Sequence, residues 1–198
     1  SEGTDTSYFC IIDKEGNAVS FIHSLYSGFG SAFVAEGTCI VFNNRQQGFR
    51  LNEPKHPNNI EPGKRPMHTL NAYIVLKENK PIIISGTPGA DFQPQGNLQI
   101  ITSIYDYGLN VAEAIEGPRW THYQDKTNSA YPHKEENFLE IENRIPEETF
   151  DFMRNKGHKT ISSGGFGGAG CAGDSAKATL KVAVVPTSSM FPEMLVTL

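Results

Sequence analysis

Cysteine is scarce in this chain: 198 residues carry three, Cys10, Cys39 and Cys171. Three thiols cannot all pair within one chain, and none stands at metal-ligand spacing from another, so a disulfide scaffold and a zinc module are both excluded. Cys10 and Cys39 lie inside apolar, strand-like runs, which predicts buried free thiols. Long hydrophobic runs are also missing. No stretch reaches the roughly 18 apolar residues that a membrane-crossing helix requires. Positive charge is in deficit, with 17 Lys and Arg against 22 Asp and Glu for a net charge of -5. That balance gives no footing for nucleic acid or for an anionic membrane surface as partner. There is no signal peptide at the start, no internal repeat and no linker. The compartment stays open, the cytoplasm being slightly favoured over the secreted or periplasmic alternatives.

What is present fits one α+β domain spanning residues 1–198. An apolar run at Tyr8–Ile12 turns at Asp13-Lys14-Glu15-Gly16-Asn17 and returns over Ala18–Ile22, a hairpin pattern. Thr38–Phe42 reads as a short buried strand, and residues 52–65 as a loop. Strands over Ala72–Leu76 and Pro81–Ser85 meet at a Glu78-Asn79 turn. From Asn97, Leu98, Ile101, Ile104 and Tyr105 share one helical face, with Gly108 as the stop. Asn110 and Glu113 form a capping-box pattern for a second helix, ended by Gly117-Pro118. A third helix starts at Ile145-Pro146 and stops at Gly157. Strands near residues 138–142, 158–161 and 180–185 complete the set. Strands grouped apart from helices point to sheets with helices layered on their outer faces.

Thr6 stands at the head of the first strand. A Thr whose preceding peptide bond is cut gains an α-amine of pKa roughly 7.7–8.0, able to serve as the base for its own hydroxyl. By position alone an ordinary strand-leading Thr is the commoner meaning. Five segments change that weighting. They are Thr6-Ser7-Tyr8-Phe9 with Asp13 to Ser20; Gly30 through Asn43-Asn44; Gly63-Lys64-Arg65-Pro66; Gly86-Thr87-Pro88-Gly89; and Asp106 to Ala114 running into Pro118-Arg119. In this order they resemble the small, catalytic subunit of the γ-glutamyltranspeptidases, a family of N-terminal nucleophile hydrolases. The resemblance covers roughly residues 5 to 170.

The resemblance implies a four-layer αββα sandwich to which this chain contributes part, a larger partner segment from the same precursor, and self-cleavage before Thr6. It implies an acyl-enzyme on Thr6, with glutathione-type or other acyl-amide substrates and water or an amine as acceptor. Ser24 matches a hydroxyl that hydrogen-bonds the nucleophile, though it also simply ends the second hairpin strand. Gly89 and Ala90 match the Gly-Gly pair whose N–H groups hold the developing oxyanion. Tyr26 falls at a substrate-contact position and could equally be core. The chemistry needs no cofactor and no metal.

Departures from the family concern substrate recognition. The acidic residue that holds a glutamyl α-amine matches Gly48, with Arg45 as the polar neighbour. The carboxylate-holding Ser-Ser pair matches His68-Thr69. Poor γ-glutamyl recognition is therefore expected, and Arg45 points to an acyl group bearing a carboxylate, as in a branch acting on dicarboxylic side chains of β-lactams. A mature subunit would begin at Thr6, whereas five residues precede it here, and residues 171–198 depart from the family's closing segment. A catalytically silent relative that binds or supports is the alternative, and an unrelated α+β binding domain a further one.

Overall fold

The computed structural model describes residues 4–89, 91–123, 137–164, 170–173, 181–184 and 194–197. The first hairpin, β1 (Thr4–Ile12) and β2 (Ala18–Ser27), pairs antiparallel. Its turn is closed by Asp13, whose carboxylate accepts the N–H groups of Glu15 and Asn17. Side chains alternate across a strand, so Thr6, Tyr8 and Cys10 share the inward face and all three are buried. Phe9 and Phe21 stack on the outer face with ring centroids 4.9 Å apart.

After two short strands, β3 (Val34–Ala35) and β4 (Ile40–Val41), a single 3-10 turn covers Arg45–Gly48. No helix or extended strand follows until β5 (Tyr73–Lys77), so residues 52–65 form the loop expected. β5 pairs with β6 (Lys80–Gly86) through a turn in which Glu78 and Asn79 both take positive φ. On its other edge β6 pairs antiparallel with β10 (Gly170–Gly173), a strand the sequence reading did not pick out. The hairpin packs on this sheet: Tyr8, Cys10, Ile22 and Ile84 make one buried cluster, and the Ser20 hydroxyl donates to the Ser85 carbonyl at 3.2 Å. β11 (Lys181–Val184) lies beside β1 and pairs with β12 (Met194–Thr197).

Helix α1 runs over Phe92–Tyr105 and so begins five residues before Asn97. Pro94 is compatible with this start, because it occupies the first turn, where an N–H has no intrahelical partner and its loss costs nothing. The buried face also differs from expectation. Phe92, Gln93, Gly96, Asn97 and Ile100 face inward, whereas Leu98 and Tyr105 are exposed. Gly96 is required there, because a Cβ would fall 2.7 Å from Phe92 Cζ. α2 (Val111–Glu116) carries the expected capping box: Asn110 Oδ1 accepts the Glu113 N–H at 3.0 Å, and Glu113 Oε2 accepts the Asn110 N–H at 2.8 Å.

A second sheet orders β7 (Trp120–Tyr123), β8 (Phe138–Glu142) and β9 (Thr160–Ser163). β7 was not foreseen, and β9 begins two residues later than read. β8 and β9 run parallel, joined by α3 (Glu147–Asn155), which buries Phe150 against Leu139 and Ile141. The free edge of β7 is covered by side chains of α1. Gln95 accepts the His122 N–H at 2.8 Å and donates to the His122 carbonyl at 3.1 Å; Gln99 does the same for Trp120, at 3.1 and 2.9 Å. Two amides one helical turn apart thus imitate a neighbouring strand.

Cys10 is buried as expected, but Cys39 is exposed, at positive φ (57°) in the turn before β4. Five apolar or β-branched residues in a row had masked that turn. Cys171 lies in β10. Among the described residues no helix is long and apolar enough to cross a membrane.

Candidate active site

Thr6 closes the buried row of β1. It is 6% exposed, and its Oγ1 donates to Ser24 Oγ at 2.9 Å. The strand pairing explains the meeting. Thr6 stands opposite Ser24 and Asp5 opposite Tyr26, so Leu25 is an extra residue on β2. Such a bulge re-aims the side chains that flank it. Ser24 Oγ also accepts the Tyr26 N–H at 3.0 Å, and Tyr26 sits at φ 82°, a conformation costly for a bulky residue. Strain of this kind, of order 1–3 kcal/mol, persists only where the surroundings impose it.

The strained Tyr26 is placed beneath Arg45, whose Cζ lies 5.3 Å from the ring centroid. Arg45 is 6% exposed. Its backbone N–H is held by Asn43 Oδ1 at 3.1 Å, while Asn44 Oδ1 accepts the Ser27 N–H at 3.1 Å, tying the 3-10 turn to the end of β2. Arg45 Nη1 donates to Thr69 Oγ1 at 3.1 Å. Nη2 is buried without a hydrogen-bond partner, and among the described residues no carboxylate pairs with this guanidinium. Burial pulls the Arg45 pKa below its usual value, with the Tyr26 interaction opposing. Partial desolvation, and then the Arg45 charge, lower the pKa of His68. Gly48 lies at the end of the same turn, and a Cβ there would meet nothing within 4 Å.

The His68–Thr69 segment is anchored by residues the sequence reading passed over. Gln93, buried in the first turn of α1, accepts the Asn71 N–H at 2.7 Å, and Asn97 Nδ2 donates to the Asn71 carbonyl at 3.0 Å. Their signal was available: two amides four residues apart on what became the inward face of a helix.

Gly89 follows β6. Gly86, three residues earlier, abuts the Tyr8 ring, and Tyr8 is two residues from Thr6. Gly89 takes φ 117°, and a Cβ would meet Phe92 Cδ1 at 3.1 Å, so this turn position needs glycine. Ala90 lies outside the described residues. The structure thus brings together Thr6, Ser24, Tyr26, Arg45 and Thr69 by direct contacts, with His68 beside Arg45. Among the described residues no group of His, Cys, Asp and Glu could hold a metal ion.

A sequence profile described as gamma-glutamyltranspeptidase matches residues 1–185. The chain belongs to the γ-glutamyltranspeptidase family. Within that family it is 43% identical over 156 residues to the glutathione hydrolase-like YwrD proenzyme of Bacillus subtilis, covering 79% of this chain and 28% of that protein. It is 39% identical over 116 residues to the oxamate amidohydrolase proenzyme of Klebsiella pneumoniae, covering 59% and 22%. The chain therefore spans under a third of these relatives' length. Among solved structures, γ-glutamyltranspeptidase from Pseudomonas nitroreducens complexed with L-DON superposes with a TM-score of 0.74 at 25% identity, over 96% of this chain and 99% of that one. Cephalosporin acylase from Bacillus halodurans gives 0.65 at 31% identity, over 89% and 29%. The α+β fold is accordingly that of the N-terminal nucleophile hydrolases.

Proposed function

We propose that this chain supplies the nucleophile of an autoprocessing amide hydrolase and acyltransferase. The observation that carries the reading is the buried Thr6 hydroxyl hydrogen-bonded to Ser24 at the inward end of β1. β1 continues through Thr4 and Asp5, paired with Ser27 and Tyr26, so the bond to be cut lies within the hairpin. Attack of Thr6 Oγ on the Asp5 carbonyl converts that peptide to an ester and leaves the Thr6 nitrogen as an amine. Water then hydrolyses the ester, freeing both groups. In each catalytic cycle the amine takes the hydroxyl proton, Oγ attacks the substrate carbonyl, and the amide's nitrogen leaves with a proton. Water or an acceptor amine releases the acyl group by the same route in reverse.

The N–H groups of Gly89 and Ala90 are assigned to the oxyanion, each such donor being worth about 2.7–4 kcal/mol in the best-measured case. Substrate contact is assigned to Tyr26, Arg45, His68 and Thr69. The partner is the larger segment of the same precursor. Phe29, Phe33, Ile40, Phe42 and Leu51, all exposed and Phe29 as much as 81%, give that segment an apolar surface to cover. Acyl amides are the substrate class, and the proenzymes named glutathione hydrolase and oxamate amidohydrolase among the relatives support it.

Intact-mass analysis of the complete precursor tests the reading. A break between Asp5 and Thr6, abolished in Thr6→Ala and retained in Thr6→Ser, is the expected result. An unbroken wild-type chain without amidase activity returns the protein to the catalytically silent alternative.

A further inference from the structure

We propose that Gln95 is a positioning residue for the turn between β6 and α1. Its amide ties the carbonyl of Asp91, the residue after Ala90, to the edge of β7, and so fixes the backbone that carries the Gly89 and Ala90 N–H groups. The inference rests on the assignment of that turn to the oxyanion and adds what holds it in place.

The chain leaves β6 at Gly86 and enters α1 at Phe92. One bond closes this turn locally, from the Phe92 N–H to the Gly89 carbonyl at 2.9 Å. Asp91 stands at the N-cap of α1, but its side chain makes no capping hydrogen bond, so the helix start is not held from that side. Gln95, one helical turn further on, reaches back instead. Its Nε2 donates to the Asp91 carbonyl at 3.2 Å and to the His122 carbonyl at 3.1 Å, while Oε1 accepts the His122 N–H at 2.8 Å. A primary amide carries two donors and an acceptor in one plane, and here each function has a backbone partner.

Gln99 supplies the comparison. It makes the same pair of bonds to Trp120, but its other donor contact goes to the Gln95 carbonyl, inside the helix. Both amides dock the same strand, and only Gln95 includes the turn. The strand is well anchored at that end. Tyr123 stacks on Phe138 with ring centroids 5.0 Å apart. Its phenol is pushed above its usual pKa by burial first and then by Glu140, with Asp91 adding to the rise, which sets the start of α1 close to the end of β7. Oxyanion donors work because they are in place before the charge develops. Misplacing a reacting geometry by about 1 Å costs on the order of 10²-fold in rate. Gln95 therefore acts on the rate without touching substrate.

The test uses the complete precursor after maturation. Acetyl-, glutaryl- and γ-glutamyl-p-nitroanilide are the probes, and the one that wild type turns over fastest serves for kinetics. Gln95→Met should lower kcat by about 10-fold and change KM by less than about twofold, the pattern of an interaction felt in the transition state. That is short of the roughly 10²–10³-fold cost of losing a donor outright. Gln99→Met should leave both constants near wild type. Hydrogen exchange at the Phe92 amide should accelerate in Gln95→Met and stay unchanged in Gln99→Met. Gln95→Glu serves where the Met variant fails to fold: it removes both donors, keeps the acceptor for the His122 N–H, and should show the same two effects.

Equal kinetics in the Gln95 and Gln99 variants overturns the positioning role, whether both are intact or both impaired. A KM that rises in step with the fall in kcat, or Phe92 exchange unaltered by the loss of Gln95, overturns it as well. If wild type turns over none of the three probes, the reading of Thr6 as nucleophile fails, and exchange at Phe92 alone decides whether Gln95 holds the turn.

Discussion

Thr6 and Ser24 face each other across a strand pair whose register slips by one residue at that point, and their hydroxyls are 2.9 Å apart. Ser24 receives two hydrogen bonds, from Thr6 Oγ1 and from the Tyr26 N–H, so it both orients the nucleophile and fixes the strained turn. Ser24→Ala removes both. Slower cleavage before Thr6, by about 10-fold, is expected from a lost hydrogen bond near the upper end of the neutral range. Ser24→Thr, which keeps the oxygen, should restore most of the rate. Time-resolved intact mass of the precursor reads both. Equal rates in Ser24→Ala and wild type would show that the contact is only structural.

Packing behind the nucleophile is close enough to be tested by one methyl group. A Cβ on Gly86 would fall 2.6 Å from the Tyr8 ring, and that ring is fixed by its cluster and by a 3.0 Å hydrogen bond between its hydroxyl and Ser20. Gly86→Ala therefore overpacks the hairpin–sheet interface and should cost about 1–3 kcal/mol. The accompanying fall in Tm is about 2–4 °C per kcal/mol for a chain of this size. Pairing it with Tyr8→Leu, which opens space at the contact, should recover part of the loss in a double-mutant cycle.

The hairpin, the capping box at Asn110 and the helix ending near Gly157 were legible because each rests on local chemistry: alternation, a reciprocal side-chain cap, a left-handed stop. The start of α1 was not, because Pro94 and Gly96 carry little local helix signal, and the fit of Gly96 against the Phe92 ring exists only in the folded helix. Cys39 was misplaced because a turn among apolar residues carries no polar signal. β10 was hidden for a different reason: its Gly-Cys-Ala-Gly sequence has no strand periodicity, and only pairing with β6 makes it extended. In the site, Thr6, Ser24, Arg45 and Thr69 could each be named from ordered motifs. The contacts joining Arg45 to Tyr26 and Thr69 could not, since they depend on a bulge and on Gln93 and Asn97 holding a loop 22 to 26 residues away in sequence.

The glutamine pair on α1 gives a local prediction. Gln95→Met leaves the N–H and carbonyl of His122 without their partners, whereas Gln99 continues to hold Trp120. Leaving buried or half-buried backbone groups unpaired costs about 1–3 kcal/mol. Amide hydrogen exchange should therefore accelerate at His122 and much less at Trp120. Uniform acceleration along β7 would mean that the helix docks by shape alone.

His68 offers a reading of the Arg45 field that needs no substrate. Its folded-state pKa lies below the ordinary 6.5, partial desolvation acting first and the Arg45 charge second. Between the lowered value and 6.5 the unfolded chain binds more protons than the folded one, so stability rises with pH across that window. The contribution is fully present above about 6.5 and is lost as pH falls through the folded-state value. Arg45→Gln removes only the second cause, so the His68 pKa should rise part of the way toward 6.5 and remain below it. Following the imidazole Cε1 proton by NMR measures this directly. A His68 titration unmoved by Arg45→Gln would show that the Arg45 charge does not act on the imidazole and that desolvation alone lowers its pKa.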